Sequence, residues 1–518
     1  MPGRFYLCTA IDYTNGAPHI GHAYEKVLAD VIGRYHRLNG EEVFFLTGVD
    51  QHGQKVQQSA DRAGVPPQEF VDSVTAKFVT LWEKLDVEYD GWAATTAERH
   101  KECVRGILQR LWNEGKIYKD TQAGYYSVRQ EQFLTDKERN AEGEFGPEWG
   151  EVEHREEENY YFRLAENKEW LLQMLQRRTD LIVPEFRQTE LRNAIEKLSG
   201  DLCISRPKSR LQWGIELPFD STFVTYVWFD ALVNYISFAP GGGYDASDGA
   251  PQKEFDLWWP PAIFIGKDIL VPAHGIYWMA MLHALGFDEG GMPRLIVHGW
   301  WNISGAKMSK SLGNAIDPDL LADKYGSEAL RYYLVADIAT GKDADFSEQR
   351  LVERYNADLA NNIGNLLNRS LSMSHRYRDG VLRRLGGDGP LRGQAADTLN
   401  AVREQLDAFQ PQAALAAVGE FVTACNTYVE MTAPWKLAKD PERVEMLDHV
   451  LYGLAESLRI IALLVSPFLP RASAGILEQL NSPRAESFEA AQWGGLPDGH
   501  RVGKPVPLFP RIDIAAET

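Results

Sequence analysis

Cysteine is scarce in this chain. The 518 residues include four cysteines, and these are scattered along the sequence at Cys8, Cys103, Cys203 and Cys425. No two of them have the short spacing that pairs thiolates on a zinc ion, and the pattern is equally unlike a disulfide framework. We therefore expect reduced cysteines, no structural zinc and no metal held by protein side chains alone.

Long apolar runs are also lacking. The most apolar late run, residues 460–465 (IIALLV), is far shorter than the roughly 20 residues that a helix needs to cross a bilayer. The N-terminal segment does not combine basic residues with an apolar stretch, as a secretion signal does. We expect a cytoplasmic protein without a membrane partner.

Basic residues are outnumbered by acidic ones. The chain has 54 Lys and Arg against 73 Asp and Glu, a formal net charge of −19, which by itself argues against nucleic-acid binding through phosphates. Locally the balance changes, because one stretch, 354–392, is rich in basic residues. This stretch is either a basic face for RNA or an ordinary solvated helix surface. Its basic residues are Arg354, Arg369, His375, Arg376, Arg378, Arg383, Arg384 and Arg392.

The first informative motif is His19-Ile20-Gly21-His22. It follows an apolar, strand-like run at 5–7 and opens a segment with apolar residues at helical spacing, which places it at a strand-to-helix turn. Gly21 allows close backbone approach, and a helix N-terminus attracts phosphate oxygens. Two imidazoles at this point can donate to the same anion.

The second motif is the stretch 307–311 (KMSKS), flanked by Gly305 and Gly313. Its two lysines, Lys307 and Lys310, suit a mobile loop that closes over developing negative charge, such as a departing pyrophosphate. Taken singly, the two motifs are more often a capped turn and a solvated loop. Taken together, they predict a site for a triphosphate under nucleophilic attack.

The pair of motifs resembles the two signatures of the class I aminoacyl-tRNA synthetases. Further stretches resemble the methionyl family within that class: 10–16 (AIDYTNG), 266–269 (GKDI), 305–307 (GAK) and 433–435 (APW). The resemblance covers almost the whole chain. It implies a methionine–tRNA ligase that forms methionyl-adenylate from L-methionine and ATP and transfers the methionyl group to tRNA(Met), for initiation and elongation of translation.

The resemblance also implies the roles of the nucleotide-site residues. ATP with Mg²⁺ is the expected cofactor, and the catalytic residues would be His19, His22, Lys307 and Lys310. Gly21, Gly266 and Asp268 would complete the ATP site. Asp268 follows a strand and precedes a helix, so it is either a ribose contact or a helix cap. Relatives often carry Cys-x-x-Cys zinc knuckles near 126–130, where this chain reads YSVRQ without thiolates.

For methionine the resemblance implies a pocket of aromatic and aliphatic walls, which suits a polarizable thioether. Asp50 would bind the substrate ammonium group. Each aromatic alone is more often a core residue, and His274 alone is more often a satisfied core histidine. The spacing from Ile269 to His274 is one residue longer than usual, which leaves the register open. The pocket residues would be Ile11, Tyr13, Asp50, Trp228, Ala231, Tyr235, Ile269, His274 and Trp278.

For tRNA the resemblance assigns anticodon binding to Asn365, Arg369 and Trp435. Asn365 and Arg369 are four residues apart and share a helix face, and an indole offers a stacking platform for an unstacked base. The alternative is structural, with Pro434 starting a helix and Trp435 filling the core. No appended dimerisation module is evident before Thr518, so we expect a monomer.

The fold class predicted is α/β followed by all-α. A Rossmann-like catalytic domain with a parallel sheet would occupy 1–115 and 216–346, interrupted by an inserted connective domain at 116–215. Its strands are indicated by apolar runs at 43–46, 223–228, 262–265 and 295–297. From 347 to 518 helical periodicity dominates and predicts an anticodon-binding bundle.

Two alternative functions remain open from the sequence. One is another class I synthetase for an apolar amino acid, although a methylene gives only about 1–3 kcal/mol of discrimination and such enzymes usually need a large editing domain. The other is an inactive tRNA-binding paralogue. Both histidines and both lysines of the signature motifs are present, which argues against the paralogue.

Overall fold

The computed structural model describes residues 3–127, 132–134, 139–140, 142–245, 250–251, 254–303, 305–307, 316–385 and 389–513. The strands in chain order are β1 (Arg4–Thr9), β2 (Asp12–Tyr13), β3 (Glu42–Asp50), β4 (Gly91–Ala94), β5 (Ile117–Ser127), β6 (Gln132–Leu134), β7 (Val152–Phe162), β8 (Ile182–Val183), β9 (Leu202–Cys203), β10 (Ser205–Pro207), β11 (Glu216–Leu217), β12 (Asp220–Thr225), β13 (Tyr244–Asp245), β14 (Ala250–Pro251), β15 (Ala262–Gly266), β16 (Arg294–His298), β17 (Trp301–Ile303), β18 (Ala306–Lys307) and β19 (Ala344–Asp345).

The α-helices are α1 (Ile20–Leu38), α2 (Gln54–Ala63), α3 (Pro67–Lys84), α4 (Glu98–Asn113), α5 (Lys168–Arg177), α6 (Phe186–Glu196), α7 (Val227–Leu232), α8 (Asn234–Ser237), α9 (Lys267–Ile269), α10 (Met279–Ala284), α11 (Pro318–Tyr325), α12 (Ser327–Ala336), α13 (Glu348–Arg354), α14 (Asn365–Arg378), α15 (Pro390–Asp407), α16 (Pro411–Thr432), α17 (Pro434–Leu437), α18 (Val444–Val465) and α19 (Pro470–Gln479). Two further segments, Leu270–Trp278 and Tyr355–Gly364, are π-helical.

A parallel sheet of seven strands forms the centre of the α/β part of the chain. Its order is β2-β3-β1-β15-β16-β8. Strands β1 and β2 pair with successive parts of one edge of β3, and β4 pairs with its opposite edge. The chain leaves β1 on one side toward β3, through α1, and returns later on the other side as β15. The strand order therefore reverses between β1 and β15, and ligands of such sheets bind in the crevice outside the carboxyl ends at that point.

Helix α1 follows from its apolar pattern. Its inward residues, which include Ala23, Val27 and Val31, are fully buried between the sheet and the helices beyond it. Basic residues in its last turn favour the helix dipole, and Gly40 with φ +81° ends it. This packing fixes where the first turn of the helix, with its two histidines, meets the sheet edge.

The segment expected as an insertion at 116–215 is divided differently in the structure. An antiparallel sheet, β6-β5-β7-β9, projects from the parallel sheet, and β10-β12-β11 forms a smaller one beside it. Strand β8, within the expected insertion, instead pairs with β16 at the edge of the parallel sheet. Phe223 and Val224, expected in that sheet, lie in β12, because an apolar run does not encode which sheet a strand joins.

The C-terminal part is helical, as predicted. Helix α18 lies at its centre, is buried along almost its whole length, and is surrounded by α14, α15, α16 and α19. Its charged residues Glu456 and Arg459 pair with each other, 2.6 Å apart at the closest atoms. In the part of the chain that the structure describes, no helix is long and apolar enough to cross a membrane. The α/β sheet followed by a helical bundle confirms the predicted fold class.

Candidate active site at the sheet switch point

The two histidines of the first motif form the N-terminal cap of α1. His19 is the N-cap residue, and its Nδ1 accepts a hydrogen bond from the Gly21 amide at 3.1 Å. The Nδ1 of His22 accepts from the His19 amide at 3.0 Å. The two rings stack with centroids 3.8 Å apart. Each neutral ring therefore carries its proton on Nε2, which makes both rings N–H donors.

Gly21 packs closely against the ring of His19. A Cβ at this position would lie 3.0 Å from Cε1 and 3.1 Å from Nδ1 of His19. A side chain here would require the His19 ring to shift by a few tenths of an ångström. The glycine backbone, predicted to approach a phosphate closely, thus also approaches the His19 ring closely and holds it by the hydrogen bond from the Gly21 amide.

The described residues on either side of the second motif contact the same helix. Lys307 ends β18, which pairs with β17, and Trp301 of β17 contacts Tyr24 of α1 with ring centroids 6.0 Å apart. Beyond the motif, the Ile316 carbonyl accepts a hydrogen bond from the Ile20 amide at 3.1 Å. The Lys310 prediction and the Lys307 side chain lie outside the described residues. Trp301 before the motif and Ile316 after it nevertheless both contact the helix of the histidine pair.

Gly266 and Asp268 lie at the carboxyl end of β15, beside the switch point. The Ala10 amide donates to the Phe264 carbonyl at 2.9 Å, which closes β1 against β15. Asp268 is exposed, and its Oδ1 accepts from Trp300 Nε1 at 3.1 Å. A Cβ on Gly266 would lie 2.7 Å from that same Oδ1, so glycine is needed for this arrangement. Asp268 lies inside α9, whose N-cap residue is Gly266, so it is not itself the N-cap residue.

A cavity of about 420 Å³ opens beside this edge. It lies between the carboxyl ends of β1 and β3, α7 and the Leu270–Trp278 segment. It collects eight of the nine predicted methionine residues: Ile11, Tyr13, Asp50, Trp228, Ala231, Tyr235, Ile269 and His274. The structure thus brings together side chains that are up to 263 residues apart in the sequence, from Ile11 to His274.

Asp50 is the carboxylate of the cavity. It ends β3, is almost fully buried, and lies against Thr95 Oγ1 at 3.4 Å. Burial and then the charge of nearby Asp230 raise the pKa of Asp50 well above its usual value. A cationic substrate group would reverse this shift because it favours the ionised form. The site is therefore suited to an ammonium ion.

His274 and Tyr235 form a hydrogen-bonded pair in the opposite wall. Nδ1 of His274 donates to the Ile269 carbonyl at 3.0 Å, so its Nε2 accepts from the Tyr235 hydroxyl at 2.8 Å. Burial lowers the pKa of His274 to about 4. The ring is neutral at physiological pH, and this wall presents aromatic surface without charge.

Trp278 is the predicted residue that does not line the cavity. It is fully buried behind Tyr235, with ring centroids 5.9 Å apart, and Tyr277 lines the cavity instead. The cause is the π-helical winding of Leu270–Trp278 together with a non-helical kink at Val271. A π-turn accommodates one additional residue, which agrees with the longer spacing noted before His274.

Several cavity residues were missed from the sequence. Lys55, Tyr226, Asn234 and Pro272 also line the wall. Tyr226 could have been found, because it stands two residues before Trp228 in the same run. The others lie on helices and turns whose inward faces are set by tertiary packing, and no local signal marks them.

A buried charge network supports the cavity from behind. Asp230 of α7 accepts from His52 Nδ1 at 2.7 Å and from His100 Nε2 at 2.8 Å. Burial opposes the ionisation of Asp230, but the two histidines outweigh it and lower its pKa to about 2. His52 follows Asp50 by two residues, and Ala231 of the cavity follows Asp230. The network therefore fixes two walls relative to each other.

The predicted anticodon residues all lie in the helical part of the chain. Asn365 and Arg369 lie on one face of α14 toward α16, where Arg369 pairs with Glu430 at 2.6 Å and Asn365 contacts Asn426 at 3.4 Å. Trp435 of α17 is half-buried and packs against the bundle core. Its partial exposure leaves ring surface for a ligand.

A metal site of side chains is not evident in the described residues. Within the ranges given above, no three or more His, Cys, Asp or Glu side chains are grouped to hold an ion. Residues 128–130 of the stretch compared with zinc knuckles lie outside them. The expectation that this chain carries no zinc stays a prediction.

Comparison with known proteins shows which family this chain belongs to. The family model of class I tRNA synthetases (M) matches residues 5–144 and 149–371, and that of the anticodon binding domain of methionyl tRNA ligase matches 388–517. The chain is thus a class I aminoacyl-tRNA synthetase by its sheet, its histidine pair and its helical bundle. Within that class it belongs to the methionyl-tRNA synthetase family.

Individual relatives are similar to this chain over nearly its whole length. The methionine–tRNA ligase of Lactococcus lactis subsp. lactis is 39% identical over 99% of this chain and 78% of its own length. That of Thermotoga maritima is 40% identical over 98% and 80%. The structure of Mycobacterium tuberculosis methionyl-tRNA synthetase in complex with methionyl-adenylate superimposes with a TM-score of 0.90 at 35% identity, covering 98% of this chain and 100% of that one.

Proposed function

We propose that this chain activates L-methionine with ATP and transfers the methionyl group to tRNA(Met). The observation that carries the proposal is the cavity with one buried carboxylate, Asp50, at the sheet edge that also holds the His19–His22 cap. An amino acid with its ammonium on Asp50 has its carboxylate directed toward the nucleotide edge. Its apolar side chain then lies against Trp228, Tyr235 and Ile269.

The first step is displacement at phosphorus. A carboxylate oxygen of methionine attacks the α-phosphorus of ATP, the bond to the bridging oxygen breaks, and pyrophosphate leaves. The Nε2–H groups of His19 and His22 donate to phosphate oxygens, and Lys307 and Lys310 neutralise the leaving group. Gly266 and Asp268 receive the ribose. The enzyme supplies no nucleophile, so rate comes from position and charge stabilisation.

In the second step a ribose hydroxyl at the tRNA terminus attacks the carbonyl carbon of methionyl-adenylate, and AMP leaves. Asn365, Arg369 and Trp435 would select the anticodon. We assign anticodon binding to residues 347–518. The catalytic sheet domain comprises residues 1–115 and 216–346, together with strand β8 from the segment between them. We expect a monomer that acts in the cytoplasm.

Mg²⁺ is expected with the triphosphate. It prefers hard oxygen ligands and usually binds through substrate phosphates. When bound it neutralises charge on the phosphate oxygens. The lysines and histidines remain the protein's own contribution to the same task.

The test is ATP–pyrophosphate exchange with each of the twenty amino acids, followed by tRNA charging. We expect exchange with methionine and none above background with isoleucine, leucine, valine or cysteine. The variant Lys310→Ala should slow adenylate formation about 100- to 1000-fold with little change in methionine affinity. Exchange driven by another amino acid, or by none, would contradict the proposed function.

A further inference from the structure

Lys26 is a fully buried lysine that no step of the reaction uses. Its ammonium donates to the Ala10 carbonyl at 3.0 Å, to Asp12 Oδ1 at 3.0 Å and to Glu25 Oε1 at 2.9 Å. The three protons of the ammonium are therefore all engaged. A charge without access to water is costly unless it is paired in this way.

The partners of Lys26 belong to two different parts of the site. Ala10 and Asp12 flank Ile11, so they fix the loop and short strand that form one wall of the methionine cavity. Glu25 and Lys26 itself lie on α1, within two turns of the His19–His22 cap. The lysine thus joins the amino-acid wall to the phosphate-binding helix.

The contacts continue from Glu25 to the nucleotide edge. Its second carboxylate oxygen, Oε2, lies 3.1 Å from Nε2 of His298, which ends β16. His298 is paired in register with Gly266 on the neighbouring strand. A continuous line of buried polar contacts therefore runs from Asp12 through Lys26 and Glu25 to the strand end beside the proposed ribose position.

Charge favours this arrangement. Burial opposes the ionisation of Glu25, but Lys26 and His298 outweigh it and hold the pKa of Glu25 below its usual value. Burial likewise opposes the charge of Lys26, and Asp12 with Glu25 raises its pKa above the usual value. The ring of Trp82 lies 5.6 Å from the ammonium and closes the remaining side.

We propose that Lys26 is a positioning residue for adenylate formation, which holds the methionine wall and the histidine-bearing helix at the separation that in-line attack requires. The inference rests on the proposed function. A displacement of about 1 Å between reactants can cost on the order of 100-fold in rate, even when the change lies outside the reacting groups. We expect Lys26→Met to slow adenylate formation by about 10- to 100-fold.

The pH dependence distinguishes this role. In Lys26→Met, Asp12 and Glu25 remain buried without their cation, and the variant recovers when one of them takes up a proton. Its rate relative to wild type should therefore rise as the pH falls from about 8.5 to 6. The other ionisable groups that face Glu25 are His298, Tyr235 and His274. These groups are present in both proteins, so the pH dependence that is specific to the variant belongs to the buried cluster left without its lysine.

The experiment is single-turnover adenylate formation by the full chain at saturating ATP and methionine, with active sites titrated by the burst. The variants are Lys26→Met, Asp12→Asn and the double variant, and KM values and thermal midpoints are measured for each. The double variant has one buried carboxylate fewer. We expect it to regain at least half of the lost rate on a logarithmic scale and to lose the pH dependence.

Lys101→Met is the matched control. Lys101 lies on α4, is half-buried, and pairs at 3.7 Å with Glu98 of its own helix. We expect it to leave the rate within twofold of wild type. If wild type shows no methionine-dependent exchange, the proposed function fails, whereas an active wild type with Lys26→Met within twofold overturns the role of Lys26 alone.

A purely structural role would look different. A folding defect reduces the number of titrated active sites by the same factor at every pH and leaves the rate per active site unchanged. That result would also overturn the proposal. If Lys26→Met yields no folded protein, Lys26→Arg and Asp12→Asn are used. A slowing of at least threefold per active site in either, at KM values within threefold of wild type, supports the role, and a smaller slowing refutes it.

Discussion

The catalytic edge and the proposed anticodon face of the molecule are built on opposite principles. At the edge, Asp50, Asp230 and His274 are buried, each has a fixed partner, and their pKa values are shifted. On the helical face, Arg369 keeps 30% of its side chain exposed and pairs with Glu430, which is 62% exposed. Exposed ion pairs of this kind contribute about 0–1 kcal/mol to stability, so a ligand can displace one partner at little cost.

The difference follows from the task of each region. Charge that develops during a reaction is best stabilised by groups already oriented in a site without water, so the catalytic edge must be rigid before substrate arrives. A surface that reads an unstacked base must stay accessible and give up its local partners on binding. Other arginines of the basic stretch are also paired, Arg354 with Asp358 and Arg378 with Asp448. RNA binding at this proposed face would therefore have to compete with acids of the protein.

The largest effect is expected at the histidine pair. His22→Ala removes an Nε2–H donor to the phosphates and should lower the rate of adenylate formation about 100- to 1000-fold. Binding of tRNA should not change, because the anticodon face is separate. Single-turnover adenylation and a tRNA binding isotherm measure the two. The control is His36→Ala at the other end of α1, and equal loss of rate in both variants would contradict a specific role for His22.

Asp50 should show the next largest effect. Asp50→Asn removes the charge that faces the substrate ammonium, and a hydrogen bond to a charged group is worth about 1.5–3 kcal/mol, so KM for methionine should rise about 10- to 100-fold. KM for ATP should change little. Steady-state exchange measures both, with the exposed Asp61→Asn on α2 as control.

The pH dependence of methionine binding sharpens this test. Because the pKa of Asp50 is raised in the protein without ligand, its carboxylate takes up a proton at a higher pH than usual. Methionine affinity should therefore weaken as the pH falls through that raised pKa, and Asp50→Asn should abolish the dependence. A wild-type affinity that stays constant over this range would contradict an ammonium contact at Asp50.

Much of the catalytic edge could be predicted from the sequence because its signals are local. The run at 5–7, the His19–His22 motif and the helical periodicity after it are adjacent in the chain and correspond to β1, the cap and α1. The fold class was confirmed for the same reason. What escaped prediction depends on distant partners: β8 joins the parallel sheet through β16, more than 100 residues away.

The misplaced cavity residue has a different cause. Tyr277 and Trp278 are neighbours, and helical spacing cannot decide between them once a π-turn has shifted the register. Buried charges were missed because burial of Lys26 or Asp230 depends on partners that sequence patterns do not reveal. A buried Lys or Asp looks the same as a solvated one until its partners are known.

Trp435, in the proposed anticodon-binding part, should show the opposite effect, with tRNA charging impaired and adenylate formation retained. Stacking of a base on an aromatic ring is worth about 1–3 kcal/mol, so Trp435→Ala should lower the kcat/KM of tRNA charging roughly 10- to 100-fold. ATP–pyrophosphate exchange should stay within twofold of wild type. Met431→Ala, an exposed apolar residue at the end of α16, is the control. Equal loss in charging and exchange would indicate a folding defect instead of base recognition.

The smallest effect concerns stability at the catalytic wall. The pKa of His274 falls from 6.5 to about 4 on folding, so the folded state resists protonation. The resulting stability is present above pH 6.5 and is lost as the pH falls toward 4, by about 2 kcal/mol at pH 5. His274→Asn should flatten the thermal midpoint between pH 7 and 5 by a few degrees, whereas His449→Asn in α18 should follow wild type. Parallel curves for wild type and His274→Asn would show that this buried wall carries no more pH-linked stability than the helical face.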